Sequence, residues 1–250
     1  MSPKTCFCIN PNCQRPDFPG NDSSNFCLSC GSPLLLNGKY RVGRLLSDDS
    51  GFGNVYEAFI GFNARIIKVL KHSWNNDQKA IKLFEQEYNV LNELSNKKGL
   101  TGIPKAEDYF IYYTRENIPL YCLVMEKVEG IDLDQWLKNN RKLKDQELAI
   151  KWLKEIINIL AEVHKLNWFH RDIKPGNIMM RHNGELVLID FGTAREETNT
   201  YYQNLQGRNV TGIISAGYTP NEQQNGQAVT QSDFFALGRT FVHLLTGLHP

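Results

Sequence analysis

Long apolar runs are missing from the start of this sequence. Residues 1–4 lead directly into cysteines without an apolar stretch of about 7–15 residues, and the run Leu34, Leu35, Leu36 is far too short to cross a bilayer. No leader and no membrane contact are expected from these residues, and the reading is of a cytoplasmic protein. An excess of charge is missing too: 28 Lys+Arg stand against 27 Asp+Glu, a formal net charge of +1. That balance excludes a whole-chain basic field for nucleic acid or an anionic membrane, so partners must be argued from local sites. Internal repeats and low-complexity tracts are absent. Cysteine is scarce beyond residue 30, where Cys122 stands alone as a small core residue. What is present is ordinary for a folded chain: 250 residues with 41% hydrophobic content can bury a core.

Residues 1–38 are rich in Asn, Pro, Ser, Gly and Cys and poor in large apolar side chains, so they need a staple to fold. Five of the six cysteines lie there. In a reducing compartment such clustering points to metal ligation more than to disulfides. Cys27-Leu28-Ser29-Cys30-Gly31 has the form of a tight knuckle, in which glycine permits the positive φ that turns backbone amides toward sulfur. Cys13 with either Cys6 or Cys8 supplies the other half. Four thiolates suit tetrahedral zinc, against the alternatives of a redox or iron site and of free thiols in a tail. Because these ligands are local in sequence, residues 1–38 are expected to form a module separable from the rest of the chain.

From residue 40 the pattern changes. β-prone runs at 40–46, 54–60 and 64–70 are separated by turn formers, and an apolar 3/4 spacing through Ile81, Phe84, Tyr88, Leu91 and Leu94 predicts a helix over 77–94. Strands at 106–113 and 120–125 complete a small sheet. After Gly130 helices dominate, near 132–139, in a longer segment opened by Asp145 as N-cap, and over 231–245. Between them, strands near 178–181 and 186–189 flank a His182-Asn183-Gly184 turn.

The strongest signal is His170-Arg171-Asp172-Ile173-Lys174-Pro175-Gly176-Asn177, followed thirteen residues after Asn177 by Asp190-Phe191-Gly192. Chance would produce the five specified residues of the first motif in on the order of one chain in ten thousand. Together, and in this order, the motifs resemble the catalytic and metal-binding loops of the eukaryotic-like serine/threonine protein kinase family. The resemblance covers about residues 40–250, and bacterial members with an N-terminal four-cysteine module look most similar. It implies an α+β, two-lobed fold with lobes 39–129 and 130–250, preceded by a zinc-ribbon-like module at 1–38. The chain reaches His249-Pro250 just past the helix holding Asp233, so the second lobe is expected to be C-terminally incomplete.

The resemblance also implies roles. Asp172 orients an acceptor hydroxyl and takes its proton, Lys174 neutralises the γ-phosphate of ATP, and Asn177 and Asp190 are oxygen ligands for Mg2+. Lys68 matches the lysine on the α- and β-phosphates, with Glu87 preferred over Glu85 as its partner on the helix. Met125, Glu126 and Val128 match the adenine-binding hinge, and Asp132 lies near the ribose. Gly51, Phe52, Gly53 and Val55 match the phosphate loop, although Leu46-Ser47-Asp48-Asp49-Ser50 lacks the family's earlier glycines and brings two carboxylates near a triphosphate. Ser215 matches a hydroxyl that contacts the catalytic Asp, and Asp233 a structural anchor. Within the module the resemblance selects Cys8, Cys13, Cys27 and Cys30 as zinc ligands. Partners implied are proteins with Ser or Thr acceptors, including the chain itself. The alternative function is a pseudokinase scaffold that binds partners without catalysis.

Overall fold

The computed structural model describes residues 6–48, 53–192, 195–196 and 215–250. They form two compact units, 1–89 with 105–127 and 90–104 with 128–250. In the first unit β1 (Leu35–Leu36), β2 (Tyr40–Ser47), β3 (Gly53–Ile60), β4 (Asn63–Leu70), β5 (Ala106–Tyr113) and β6 (Pro119–Glu126) make an antiparallel sheet in the order β1-β2-β3-β4-β6-β5. Strand β1 comes from the cysteine-rich segment and adds a sixth strand to the five expected. The reason is local: Asn37 and Gly38 both take positive φ (46° and 68°), and Lys39 N–H closes the turn onto the Leu36 carbonyl at 3.0 Å. This is the asparagine–glycine hairpin turn, whose twist matches the strands on either side.

Alternation along the strands gives the sheet two chemically different faces. One row across neighbouring strands is Val55, Lys68 and Leu123, and the next is Tyr56, Ile67 and Val124. The second face, with Val42, Ala58, Val69 and Cys122, is a buried apolar cluster that also includes Ile9, with Phe7 packed against it. Helix α1 (Gln78–Ser95) is opened by Asp77, whose carboxylate accepts from Lys79 and Ala80 N–H. Of the stripe that the 3/4 spacing predicts, Ile81, Phe84, Leu91 and Leu94 are buried and Tyr88 is partly buried; Ala80 is buried as well.

The second unit contains β7 (Gly130–Asp132), α2 (Leu133–Asn140), α3 (Gln146–Lys165), β8 (Trp168–Phe169), β9 (Ile178–Arg181), β10 (Leu186–Leu188), β11 (Arg195–Glu196), the single turn α4 (Asn221–Gln224) and α5 (Thr230–Thr246). Asp132 and Asp145 cap α2 and α3, accepting from Gln135 and Leu148 N–H respectively. The α3 stripe of Trp152, Ile156, Leu160 and Val163 is buried. Strands β7, β9 and β10 form a small antiparallel sheet, and β8 pairs with β11. Gly130 (φ 154°) lies against β9 so closely that a Cβ would meet the Met180 carbonyl at 2.0 Å, so only glycine fits there. Among the described residues no helix is long and apolar enough to cross a membrane.

Candidate active site and metal centre

The catalytic-loop segment runs from β8 through a helical turn at Pro175–Asn177 into β9. Its carboxylate, Asp172, is 7% exposed and fully engaged. Oδ1 accepts from Ser215 Oγ at 2.6 Å, while Oδ2 accepts from Lys174 Nζ at 2.8 Å and Asn177 Nδ2 at 2.8 Å. Lys174 Nζ also reaches Ser215 Oγ at 3.2 Å. Asn177 Nδ2 additionally donates to the Asp172 carbonyl at 2.8 Å, so its amide nitrogen is occupied on the Asp172 side and its oxygen is left for another partner. The resemblance implies distinct roles for Asp172, Lys174, Asn177 and Ser215, and the structure brings all four side chains together.

Beneath the loop, Asp233 on α5 is 0% exposed and accepts three N–H groups. Its Oδ2 takes His170 N at 2.9 Å and His164 Nε2 at 2.8 Å, and its Oδ1 takes Arg171 N at 2.7 Å. Gln223 Nε2 satisfies the Arg171 carbonyl at 2.7 Å. His170 Nε2 lies 3.0 Å from the Ile189 carbonyl, which can only accept, so Nε2 carries the proton and Nδ1 is free to accept from Asp172 N–H at 3.3 Å. His170 also packs edge-on to Phe191, with centroids 4.9 Å apart. Sequence reasoning did not single out His164 or Gln223; neither carries a local signal, because their partners are 69 and 52 residues away.

Two residues of these motifs take left-handed backbone conformations, Arg171 at φ 69° and Asp190 at φ 65°. Such a conformation in a non-glycine residue costs energy and persists only where surrounding contacts hold it, as Asp233 and Gln223 hold the N–H and carbonyl of Arg171. The Arg171 side chain is 3% exposed, and its Nε and Nη2 have no hydrogen-bond partner among the described residues. Burial lowers its pKa, partly offset by Asp233. Beside the loop lies a cavity of about 250 Å³ whose lining includes Asp134, Lys174, Ser215 and Tyr218. Glu222 accepts from Ser232 Oγ at 2.8 Å.

In the first unit, Lys68 Nζ sits 2.5 Å from Glu87 Oε1, both side chains largely buried. Val55 and Met125 share the Lys68 face by strand alternation. Glu126 N–H is used by the Lys105 carbonyl at 2.8 Å. In the second unit Val128 is buried, and Asp132, expected near the ribose, serves as the α2 cap. Gly53 opens β3 under the Val69 carbonyl and Phe84, while Gly51 and Phe52 lie outside the described residues.

The thiols of Cys8, Cys13, Cys27 and Cys30 all lie within 4.8 Å of one another, with Cys8 to Cys30 and Cys13 to Cys27 at 3.6 Å. A tetrahedral zinc with Zn–S of ~2.3 Å needs sulfur–sulfur edges of about 3.8 Å, so the set fits. Gly31 takes φ 75°, and its N–H closes on the Cys27 carbonyl at 2.7 Å, forming the expected knuckle. Burial pushes the Cys8 thiol up, whereas at Cys30 burial is outweighed by hydrogen bonds with Ser32, Cys8 and Asn10, which bring it down to about 7. Cys6 is outside this group; its N–H goes to Asp22 Oδ1 at 2.7 Å, and burial raises its thiol.

A sequence profile described as the protein kinase domain matches residues 49–250. The chain is 34% identical to serine/threonine-protein kinase F of Synechocystis sp. over 96% of its own length and 52% of the relative's. It is also 34% identical to serine/threonine-protein kinase B of the same organism, covering 98% of this chain and 42% of the relative. Similarity to serine/threonine-protein kinase PknA of Nostoc sp. is 36% over 86% of this chain and 38% of that protein. The chain thus spans about half, or less, of the length of these curated relatives.

Proposed function

The chain belongs to the protein kinase domain family, and from that premise we propose that it transfers the γ-phosphate of ATP to serine or threonine hydroxyls of proteins, with Asp172 as catalytic base. The observation that carries this reading is the Asp172 carboxylate held by Lys174, Asn177 and Ser215. An unassisted surface aspartate would be solvated and mobile; this one is oriented by three donors beside a cavity that can admit an acceptor side chain. Lys174 adds positive charge where the transferring phosphoryl group gains negative charge. Asn177 and Asp190 would hold Mg2+, which when bound neutralises phosphate charge. In the first unit Lys68, steadied by Glu87, would grip the α- and β-phosphates, with Val55, Met125 and Glu126 as proposed nucleotide-binding residues; in the second unit Val128 and Asp132 are proposed for the same role.

The direct test is transfer of labelled γ-phosphate by the purified chain, in magnesium and saturating ATP, to itself or to a generic acceptor protein. Incorporation on serine or threonine supports the kinase reading; nucleotide binding with no transfer to any acceptor would favour the scaffold reading. The acceptors proposed are cytoplasmic proteins and the chain itself.

Arg171 leads to a second expectation. A buried guanidinium with two nitrogens unpartnered among the described residues suits a phosphate, which accepts bidentately. Autophosphorylation is expected at Thr198, Thr200 or Thr211, with Tyr201 and Tyr202 as lesser acceptors; all five lie outside the described residues. Mass spectrometry after incubation with ATP should find phosphate on this segment, and an active protein unmodified there would remove the idea.

The module at 1–38 is proposed to hold one structural zinc through Cys8, Cys13, Cys27 and Cys30. Metal analysis should find about one zinc per chain in freshly purified reduced protein, and Cys27→Ser should lower this to near zero. A reduced parent without zinc overturns the assignment.

A further inference from the structure

We propose that the cysteine module is the cover of the sheet that carries Lys68, so that zinc occupancy governs the order of β4 and, through it, nucleotide binding. This rests on the zinc reading above. The inference begins from the two faces of β4. Lys68 points to one face; Ile67 and Val69, its immediate neighbours, point to the other, where they join Val42, Ala58, Cys122 and Val124. These side chains are between 0% and 3% exposed. A sheet face this apolar must be covered; among the described residues the non-sheet member buried in the cluster is Ile9, with Phe7 and the loop residue Ile118 packed against it, and the Phe7 ring lies 5.9 Å from that of Tyr56.

Ile9 follows the zinc ligand Cys8 directly, so the position of the cover is set by the position of the metal. Polar contacts fix the rest. Phe7 N–H donates to the Val42 carbonyl at 2.8 Å, and Arg41 Nη2 donates to the carbonyls of Asn21 and Ser24 at 3.0 and 2.8 Å. Tyr112 OH donates to the Pro33 carbonyl at 2.8 Å, and Asn10 Nδ2 to Glu116 Oε2 at 2.9 Å. Within the module, turn bonds such as Cys27 N–H to the Ser32 carbonyl and Leu34 N–H to the Asn25 carbonyl, both at 2.8 Å, shape the backbone around the sulfurs, but apolar packing is sparse. Its regular structure before β1 is one short 3-10 helix at Pro19–Ser23 and a single bridge from Phe26 to Pro33, and its own buried cluster is Cys6, Cys8, Cys27 and Leu34. A core made largely of sulfur is ordered by the ion that the sulfur binds. Loss of that ion frees Ile9 and Phe7, uncovers Ile67 and Val69, and loosens the strand that aims Lys68 at Glu87. The separability expected from the local spacing of the ligands therefore gives way to a shared core.

The test uses the full chain, reduced, before and after zinc removal by a chelator. It reads amide hydrogen exchange along β4 and α3 together with the affinity for a non-hydrolysable ATP analogue with magnesium. Zinc removal should raise exchange in residues 67–70 by at least about tenfold while leaving α3 unchanged, and should weaken analogue binding by at least about tenfold, with both restored by added zinc. Ile9→Ala should retain one zinc per chain yet raise exchange in β4, separating the cover from the metal. If the chain holds zinc but its removal moves neither β4 exchange nor analogue affinity, the coupling is wrong and the metal site stands. If the chain holds no zinc, both fall. Equal rises in β4 and α3 would also overturn the coupling, because contacts through Ile9 and Phe7 lie within the first unit.

Discussion

Asp172→Asn is expected to lower phosphotransfer turnover by roughly 10²–10⁴-fold while changing nucleotide affinity only modestly. The substitution is nearly isosteric, so packing around the 7%-exposed side chain is retained. The chemistry is not. An amide cannot take the acceptor's proton, and its NH₂ either meets the donors Lys174 and Asn177 or faces Ser215, whose hydroxyl must then turn from donating to accepting. The loss should appear in kcat far more than in KM for ATP, since the nucleotide is held by other residues. Turnover by the parent and the variant should be compared at saturating ATP and magnesium. Equal values would mean that the carboxylate takes no part in transfer and would favour the scaffold reading.

Asp233→Ala should cost far more stability than Asp172→Asn, on the order of 3–5 kcal/mol. Nothing in this prediction depends on catalysis. The carboxylate is 0% exposed and satisfies His170 N, Arg171 N and His164 Nε2, so its removal leaves buried donors without acceptors and an empty space beneath the loop. Asp233→Asn should lose roughly half as much, because one oxygen remains to accept while the amide nitrogen opposes a donor. Denaturant midpoints for the three proteins test the order parent, Asn, Ala. A midpoint for Asp233→Ala within error of the parent would show that water or a neighbour replaces the carboxylate. Turnover should fall as well, since His170 and Arg171 are held by this carboxylate on the N-terminal side of Asp172.

The catalytic constellation was legible in sequence because its parts are close in the chain. Asp172, Lys174 and Asn177 lie within six residues, and a loop closed by one helical turn brings them together with little help. Glu87 was legible for a different reason. The resemblance placed Lys68 on its strand, and among the acidic residues that follow it favoured Glu87, because the apolar register through Leu91 and Leu94 matches the family's helix. The β1 hairpin carried its own signal in Asn37-Gly38, a turn pair that also explains why the cysteine-rich segment joins the sheet. Residues such as His164 and Gln223 had no such signal, because a single polar residue in a helix reads the same whether it faces solvent or a buried acceptor.

The residue order by itself determined which chemistry the loops can perform, where strands and helices alternate, and that four sulfurs were available to a soft metal. These properties depend on side-chain type and short-range spacing, which a linear text preserves. Tertiary structure decided the rest. It brought the thiol of Cys8, preferred over Cys6 on the resemblance alone, within 4.8 Å of the other three, placed Asp233 beneath His170 and Arg171, and laid Ile9 on the apolar face behind Lys68. Each of these choices turns on the direction of a side chain after segments tens of residues apart have packed. That direction is set by the burial of apolar area and the pairing of buried polar groups across the whole unit, and short-range spacing does not encode it.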